Sequence, residues 1–172
     1  GCHVHQLDEH VAFRITPVLN DLDQLTRWRT FSERKSDKLP AFLHIDTGMT
    51  RLGLDNGQIE WLVKNKYALE GVDCRYVMSH LVSAEIADDP TNARQLDAFN
   101  KMRQWFVGIP ATLANSAGSL LSPAYHFQMT RPGIALYGVH PADMPTDTLT
   151  RVVTWQARII QLRHAKAGDR VG

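Results

Sequence analysis

The chain has too few cysteines to be built on disulfides. Its 172 residues contain two, Cys2 and Cys74, one at a ragged start and one in a stretch that reads as a strand. That count argues against a disulfide framework and fits a reducing, cytoplasmic compartment. No apolar run approaches the ~20 residues of a membrane span, so no membrane partner is expected. A formal net charge of +1 gives no electrostatic reason to propose nucleic acid or a lipid surface as partner. The opening Gly1-Cys2-His3-Val4-His5 lacks the apolar core of a signal peptide. GxSxG, P-loop and GxGxxG signatures are missing too, and with them the usual nucleophile elbow, nucleotide cradle and dinucleotide fingerprint. His3, His5 and His10 have no HExxH spacing and no completing set of Cys or acid ligands, so no metal site is expected and solvated histidines are the better reading.

What is present is an ordinary globular composition, 44% hydrophobic and 22% charged, arranged as strands alternating with helices. Ile15 to Leu19 reads as a short strand. Asn20 is placed to cap a helix whose face is Leu22, Leu25, Trp28 and Phe31. Pro40 opens a strand over Ala41 to Ile45. Asn56 can cap a helix running to about Leu69 with Ile59, Leu62, Val63 and Tyr67 buried, and Gly71 is placed to end it. Val72 to Ser79 is the next strand. Asp89-Pro90 starts a helix lined by Leu96, Phe99, Met102 and Phe106. Ala111 to Ala114 is a strand with a short helix, Ala117 to Leu121, behind it, and Phe127 to Thr130 is a further strand. The fold class is therefore α/β with parallel strands and crossover helices. Periodicity alone does not separate a barrel from an open doubly wound sheet.

The pattern changes after Tyr137. His140 to Asp147 reads as a Pro- and Asp-containing connector. Thr150 to Leu162 alternates Val153, Trp155, Ala157 and Ile159 with Thr154, Gln156 and Arg158, which predicts a half-exposed strand. Ala167-Gly168-Asp169 predicts a hairpin turn. Residues 1–140 are thus expected to form part of an α/β barrel domain, and 141–172 a connector and the first strand of an all-β domain. Both ends look cut, so a fragment is expected.

The strands stop on polar residues, and in α/β proteins those ends carry chemistry. Asp46 and Arg51 follow one strand, His80 the next, Asn115-Ser116 the third, and Arg131-Pro132-Gly133 the last. Ser116 at a helix start and the amides of Gly133-Ile134 could bind phosphate, although such a serine is more often only a cap. Arg51 and Arg131 could fork onto carboxylates or make surface salt bridges. His80 could be a base, a stacking partner or a satisfied core histidine. Asp46 could be an acid–base group or an acceptor for the turn that follows. The residues alone point to a phosphate-bearing small ligand and no further.

The stretch His44-Ile45-Asp46-Thr47-Gly48-Met49-Thr50-Arg51-Leu52-Gly53 closely resembles the DTGMxRxG segment of bacterial alanine racemases. Ser79-His80, Asn115-Ser116-Ala117 and Arg131-Pro132-Gly133-Ile134-Ala135-Leu136-Tyr137-Gly138 follow in the family's order, and the tail from Val153 to Gly172 resembles the opening of its β-domain. The resemblance implies a partial TIM-type (β/α)8 barrel followed by the start of a C-terminal all-β domain, in a cytoplasmic homodimer with active sites shared between subunits. It implies pyridoxal 5'-phosphate as cofactor and interconversion of L- and D-alanine, supplying D-alanine for peptidoglycan.

By that resemblance, Asn115 and Ser116, with the amides of Gly133 and Ile134, belong to the cofactor site, where Ser116 and those amides hold the phosphate. Arg131 contacts the pyridine nitrogen, which leaves the ring a weaker electron sink and favours brief carbanion formation with reprotonation. His80 lies near the ring. Arg51 holds the substrate carboxylate, with Asp46 supporting its loop. The family's two bases, a Schiff-base lysine and a tyrosine from the other subunit, match nothing in this chain: Lys35, Lys38, Lys64, Lys66, Lys101 and Lys166 lie in no such motif. The fragment alone is therefore expected to be inactive. Many relatives carry a lysine, often carbamylated, where this chain has His44, so Arg51 is expected to be oriented by another acceptor. The alternatives are a racemase for serine or another amino acid and a non-catalytic barrel that binds pyridoxal phosphate. A decarboxylase would place an acid, not Arg131, at the pyridine nitrogen.

Overall fold

The computed structural model describes residues 1–141 and 149–170. Four parallel strands form one sheet in chain order: β1 (Val18–Leu19), β2 (Leu39–His44), β3 (Val72–Met78) and β4 (Ala111–Thr112). Order equal to chain order is what successive units of a barrel give. A doubly wound sheet reverses at a switch point, and none lies among these strands. The strand ends therefore share one edge, at Asn20, His44, Ser79 and Leu113.

Helices α1 (Leu7–Ala12), α2 (Leu22–Arg34), α3 (Asn56–Lys64) and α4 (Pro90–Arg103) complete the regular elements, with short 3-10 turns between. The α2 N-cap is Asp21, whose carboxylate accepts from the Gln24 amide at 2.7 Å; Asn20, the expected cap, is turned instead toward His44. Likewise the α3 N-cap is Asp55, not Asn56, through a reciprocal capping box with Gln58. Each shift is one residue, and each places an acceptor-only carboxylate on the free N–H groups and positive end of the helix. Helix α3 ends at Lys64, short of the expected Leu69, and the chain continues as a 3-10 turn over Lys66–Leu69, leaving Tyr67 exposed.

Leu39, Ala41 and Leu43 on β2, with Ile45 just after it, are buried in the core with Trp28, Leu62 and Phe99. Burying a large apolar side chain of this kind contributes roughly 1.5–3 kcal/mol. On the other face Phe42 and Tyr76, partners in the β2–β3 register, have ring centroids 4.9 Å apart and stay half-buried.

Two predicted strands are absent. Phe127 lies in a turn with φ 51°, its ring edge-on to Phe99. Residues 128–131 run beside β4 through Gln128 N–H to Ala111 O and Arg131 N–H to Ala114 O, without a regular ladder. Residues 149–165 form no strand, although their alternation predicts one over Thr150 to Leu162; Trp155 and Ile160 are almost fully exposed. A strand needs a neighbour to satisfy its N–H and C=O groups, and no described residues pair with this one. A turn does form at Ala167-Gly168, closed by Asp169 N–H to Lys166 O at 3.0 Å, but no hairpin flanks it. Of the connector expected over His140 to Asp147, residues 142–147 lie outside the described residues. No described helix is long and apolar enough to cross a membrane.

Candidate functional site

The polar strand ends converge. After β2 the chain doubles back, with Leu54 N–H donating to His44 O and Asp46 N–H to Leu54 O. The Asp46 carboxylate is the centre of this turn: Oδ1 accepts from Gly48, Met49 and Thr50 N–H at 2.9, 3.0 and 3.1 Å. With those bonds made it organises the loop, not a proton transfer. Gly53 has φ +110°, and a β-carbon there would lie 2.7 Å from the Asp46 nitrogen, so only glycine lets the loop close this tightly. Arg51 is carried on the turn, exposed, with no hydrogen bond to any described residue.

His44 is buried, its Nδ1 2.8 Å from Asn20 Oδ1. The neighbouring bonds fix which ring nitrogen carries the proton. The Asp21 carboxylate only accepts, so Gln24 turns its Nε2 to it at 2.7 Å. That leaves Gln24 Oε1 to accept from Asn20 Nδ2, and Asn20 Oδ1 to accept from His44 Nδ1–H. Burial, with the Arg131 charge next in weight, pushes the His44 pKa down to about 4. His44 is thus neutral at neutral pH, with Nε2 a free acceptor.

At the β3 end, burial and then Arg131 and Arg51 hold His80 below its ordinary range. At the β4 end, Asn115 is used structurally: Oδ1 accepts from Gly118 N–H at 2.8 Å. Ser116 Oγ accepts from the N–H groups of Gly133 at 2.7 Å and Ala135 at 3.3 Å. The Arg131 guanidinium donates to Thr112 Oγ1, to Ser79 O at 2.6 Å and to Leu113 O at 3.2 Å. No carboxylate is among those partners. Burial lowers its pKa to about 10, which leaves it charged at neutral pH.

An open cleft of about 450 Å³ is lined by His80, Asn115, Ser116, Arg131, Gly133 and Ile134, together with Glu85, Ala117, His140 and Pro141. Six of the seven predicted site residues therefore share one cavity. Arg51 stands outside its lining. Sequence reasoning missed Ala135, whose amide donates to Ser116 Oγ, and Thr112, which holds Arg131. A larger space of about 760 Å³ lies between Tyr137, Val139 and the 149–155 segment. It is mostly apolar and lacks these donors, so the smaller cleft is the better candidate. None of the six lysines lines either cavity. Among the described residues no three His, Cys, Asp or Glu groups are placed to hold a metal.

Ser116, with two backbone N–H groups donated to its Oγ, and a guanidinium held by three oxygens lie together at the ends of parallel strands, where α/β proteins carry their chemistry. The family alanine racemase, N-terminal domain, matches residues 1–141. This chain belongs to that family. It is 39% identical to alanine racemase of Rickettsia bellii over the whole chain and 42% of that protein, and 44% identical to that of Rickettsia felis over 82% of the chain and 30% of that protein. Alanine racemase from Bartonella henselae, in a crystal structure with covalently bound pyridoxal phosphate, superposes with a TM-score of 0.83 at 34% identity, over 88% of this chain and 44% of that one. The Acinetobacter baumannii enzyme gives 0.77 at 28% identity over 98% and 48%. The four strands thus correspond to the barrel region of alanine racemases, and the chain spans less than half the length of these relatives.

Proposed function

We propose that the complete protein is a cytoplasmic pyridoxal-phosphate-dependent racemase that interconverts L- and D-alanine, supplying D-alanine for peptidoglycan, and that this chain contributes its phosphate, ring and carboxylate contacts. The observation that carries the reading is the meeting in one cleft of the Arg131 guanidinium with Ser116, whose Oγ is fixed by two backbone N–H groups. The donor set fits the cofactor: Ser116 Oγ accepts twice, and its own O–H remains to be donated to a phosphate oxygen.

Bound pyridoxal phosphate would supply an electrophilic carbonyl and a conjugated ring that acidifies the Cα–H of a linked amino acid. Arg131, held by three oxygens, would face the ring nitrogen as a donor and keep it unprotonated. His80, neutral through burial, would lie beside the ring. Arg51, exposed and with no hydrogen-bond partner among the described residues, has its guanidinium available for the substrate carboxylate. Proton removal and return on opposite faces of Cα need two bases. No lysine lines the cleft, so both are assigned to parts of the complete protein outside this chain, one of them to a second subunit of a homodimer. The apolar alternation over 150–162 supports a β-domain that those parts would complete, with the barrel portion ending near residue 140.

The test is an assay of D-alanine formation from L-alanine by the complete protein supplied with pyridoxal phosphate, with L-serine run alongside. A kcat/KM for alanine about tenfold or more above that for serine supports the reading. No D-alanine formation, or a preference for serine, overturns it. The 172-residue chain by itself is expected to turn over neither, and turnover by it would refute the placement of the bases.

A further inference from the structure

Behind the cleft, one buried side chain joins two of its loops. Gln95, on α4, is 1% exposed. A buried amide is costly unless its donors and acceptor are all matched. Here they are: Nε2 donates to His80 O at 2.9 Å and to Thr47 Oγ1 at 3.3 Å, and Oε1 accepts from Val82 N–H at 2.9 Å. Thr47 Oγ1 lies 2.7 Å from Ser79 Oγ, and Ser79 O accepts from Arg131 Nη2. Thr47 starts the turn organised by Asp46, which carries Arg51. Segment 79–82 carries His80 and anchors Arg131. No other direct side-chain bond joins the two segments except Thr47 to Ser79, which Gln95 itself engages.

We propose that Gln95 is a positioning residue that sets the Arg51 turn against His80 and Arg131. Two donors and one acceptor in a planar fork are what the three partners require. Glutamate lacks the donors, and methionine of similar volume lacks all three groups. The role rests on the reading of Arg51 as the substrate-carboxylate arginine.

The experiment uses the complete protein, wild type, Gln95→Met and Thr47→Val. Two quantities are read: KM with kcat for alanine, alongside the inhibition constant of propionate, a bare carboxylate; and hydrogen exchange of the 46–54 peptide, which needs no activity. Thr47→Val is close to isosteric and removes the bonds of Thr47 Oγ1 to Gln95 and to Ser79 while leaving Gln95 bonded to His80 and Val82, so it keeps the proposal testable if Gln95→Met does not fold. The expected result is that KM and the propionate constant rise together by about fivefold or more, the factor for one neutral buried hydrogen bond, while kcat moves less. Exchange of 46–54 quickens in the same variants, with α2 unchanged. Wild-type exchange at 46–54 in variants that fold overturns the proposal whatever the enzyme's reaction. Faster exchange in a protein that forms no D-alanine supports the positioning role and rejects only the assigned reaction. Faster exchange with a fall confined to kcat also overturns it.

Discussion

Replacing Ser116 by alanine tests the phosphate assignment at a single atom. Ser116 Oγ accepts from Gly133 and Ala135 N–H, so its one hydroxyl proton is uncommitted and can be donated to a phosphate without breaking either bond. Binding therefore gains the full donation with no bond lost in exchange. A hydrogen bond to a charged acceptor contributes about 1.5–3 kcal/mol, which is roughly 10- to 150-fold in Kd. Loss of the two accepted bonds loosens the Gly133 loop at the same time, so the upper part of the range is expected. The assay is fluorescence titration of the complete protein with pyridoxal phosphate and, in parallel, with pyridoxal, which has the ring and no phosphate. Ser116→Ala should weaken the first by that factor and leave the second within about twofold, and Ser116→Thr should restore most of the difference. Equal weakening of both ligands, or none of either, would refute a phosphate at Ser116.

Gly53→Ala should destabilise the complete protein by of order 2–4 kcal/mol, because its β-carbon meets the Asp46 nitrogen at φ +110°; Gly57→Ala in the first turn of α3 should not, and paired urea melts would show whether the difference exists. His44 has a folded pKa of about 4 against about 6.5 unfolded, so the unfolded chain binds the extra proton. Its contribution is complete above about pH 6.5 and is lost as the pH falls toward 4. Urea midpoints should therefore drop more steeply over that window in wild type than in His44→Asn, by of order 2 kcal/mol; parallel curves would contradict the buried neutral imidazole. Because His44 is already bonded to Asn20 and cannot form a lysine carbamate, racemase activity should be unchanged in bicarbonate-depleted buffer, and a loss restored by adding bicarbonate would overturn that expectation.

Strand–helix alternation and the polar strand ends were readable because both are local. Leu22, Leu25, Trp28 and Phe31 mark a helix face wherever the helix sits, and Asp46 followed by Gly48 marks a turn that its own carboxylate can close. The choice between barrel and open sheet was not local. It rests on strand order, and only the register of β1 through β4 excludes a switch point within them. The strand-end residues that the structure gathers in one cleft, Ser116 and Arg131 among them, were legible from their places after the strands. Those missed act through partners distant in sequence: Thr112 holds Arg131 from 19 residues away, and Gln95 reaches Thr47 across 48. No spacing rule carries such pairs, and a buried glutamine on a helix face gives only the weak hint of a polar residue where an apolar one would fit.

The failed strand prediction has the same origin and says something about the assembly. Alternation of Val153, Trp155, Ala157 and Ile159 with polar residues records which face of a strand will be buried; it does not supply the partner that buries it. Phe42 and Tyr76 pose the same question on the sheet's second face, stacked on one another and still half-exposed. Both surfaces carry apolar side chains that the described residues leave uncovered in whole or in part. The cleft is more self-sufficient. Ser116 and Arg131 are held by bonds within residues 112–135 and by Ser79, so the groups proposed for phosphate and ring contacts are preorganised by this portion of the fold. Arg51 is not: it waits on an exposed turn, placed by Asp46 and by Gln95 through Thr47. Under the proposed function a division of labour follows, in which cofactor binding would depend on bonds already closed within this chain. Substrate binding would depend on how firmly one buried glutamine holds the turn that carries a single arginine.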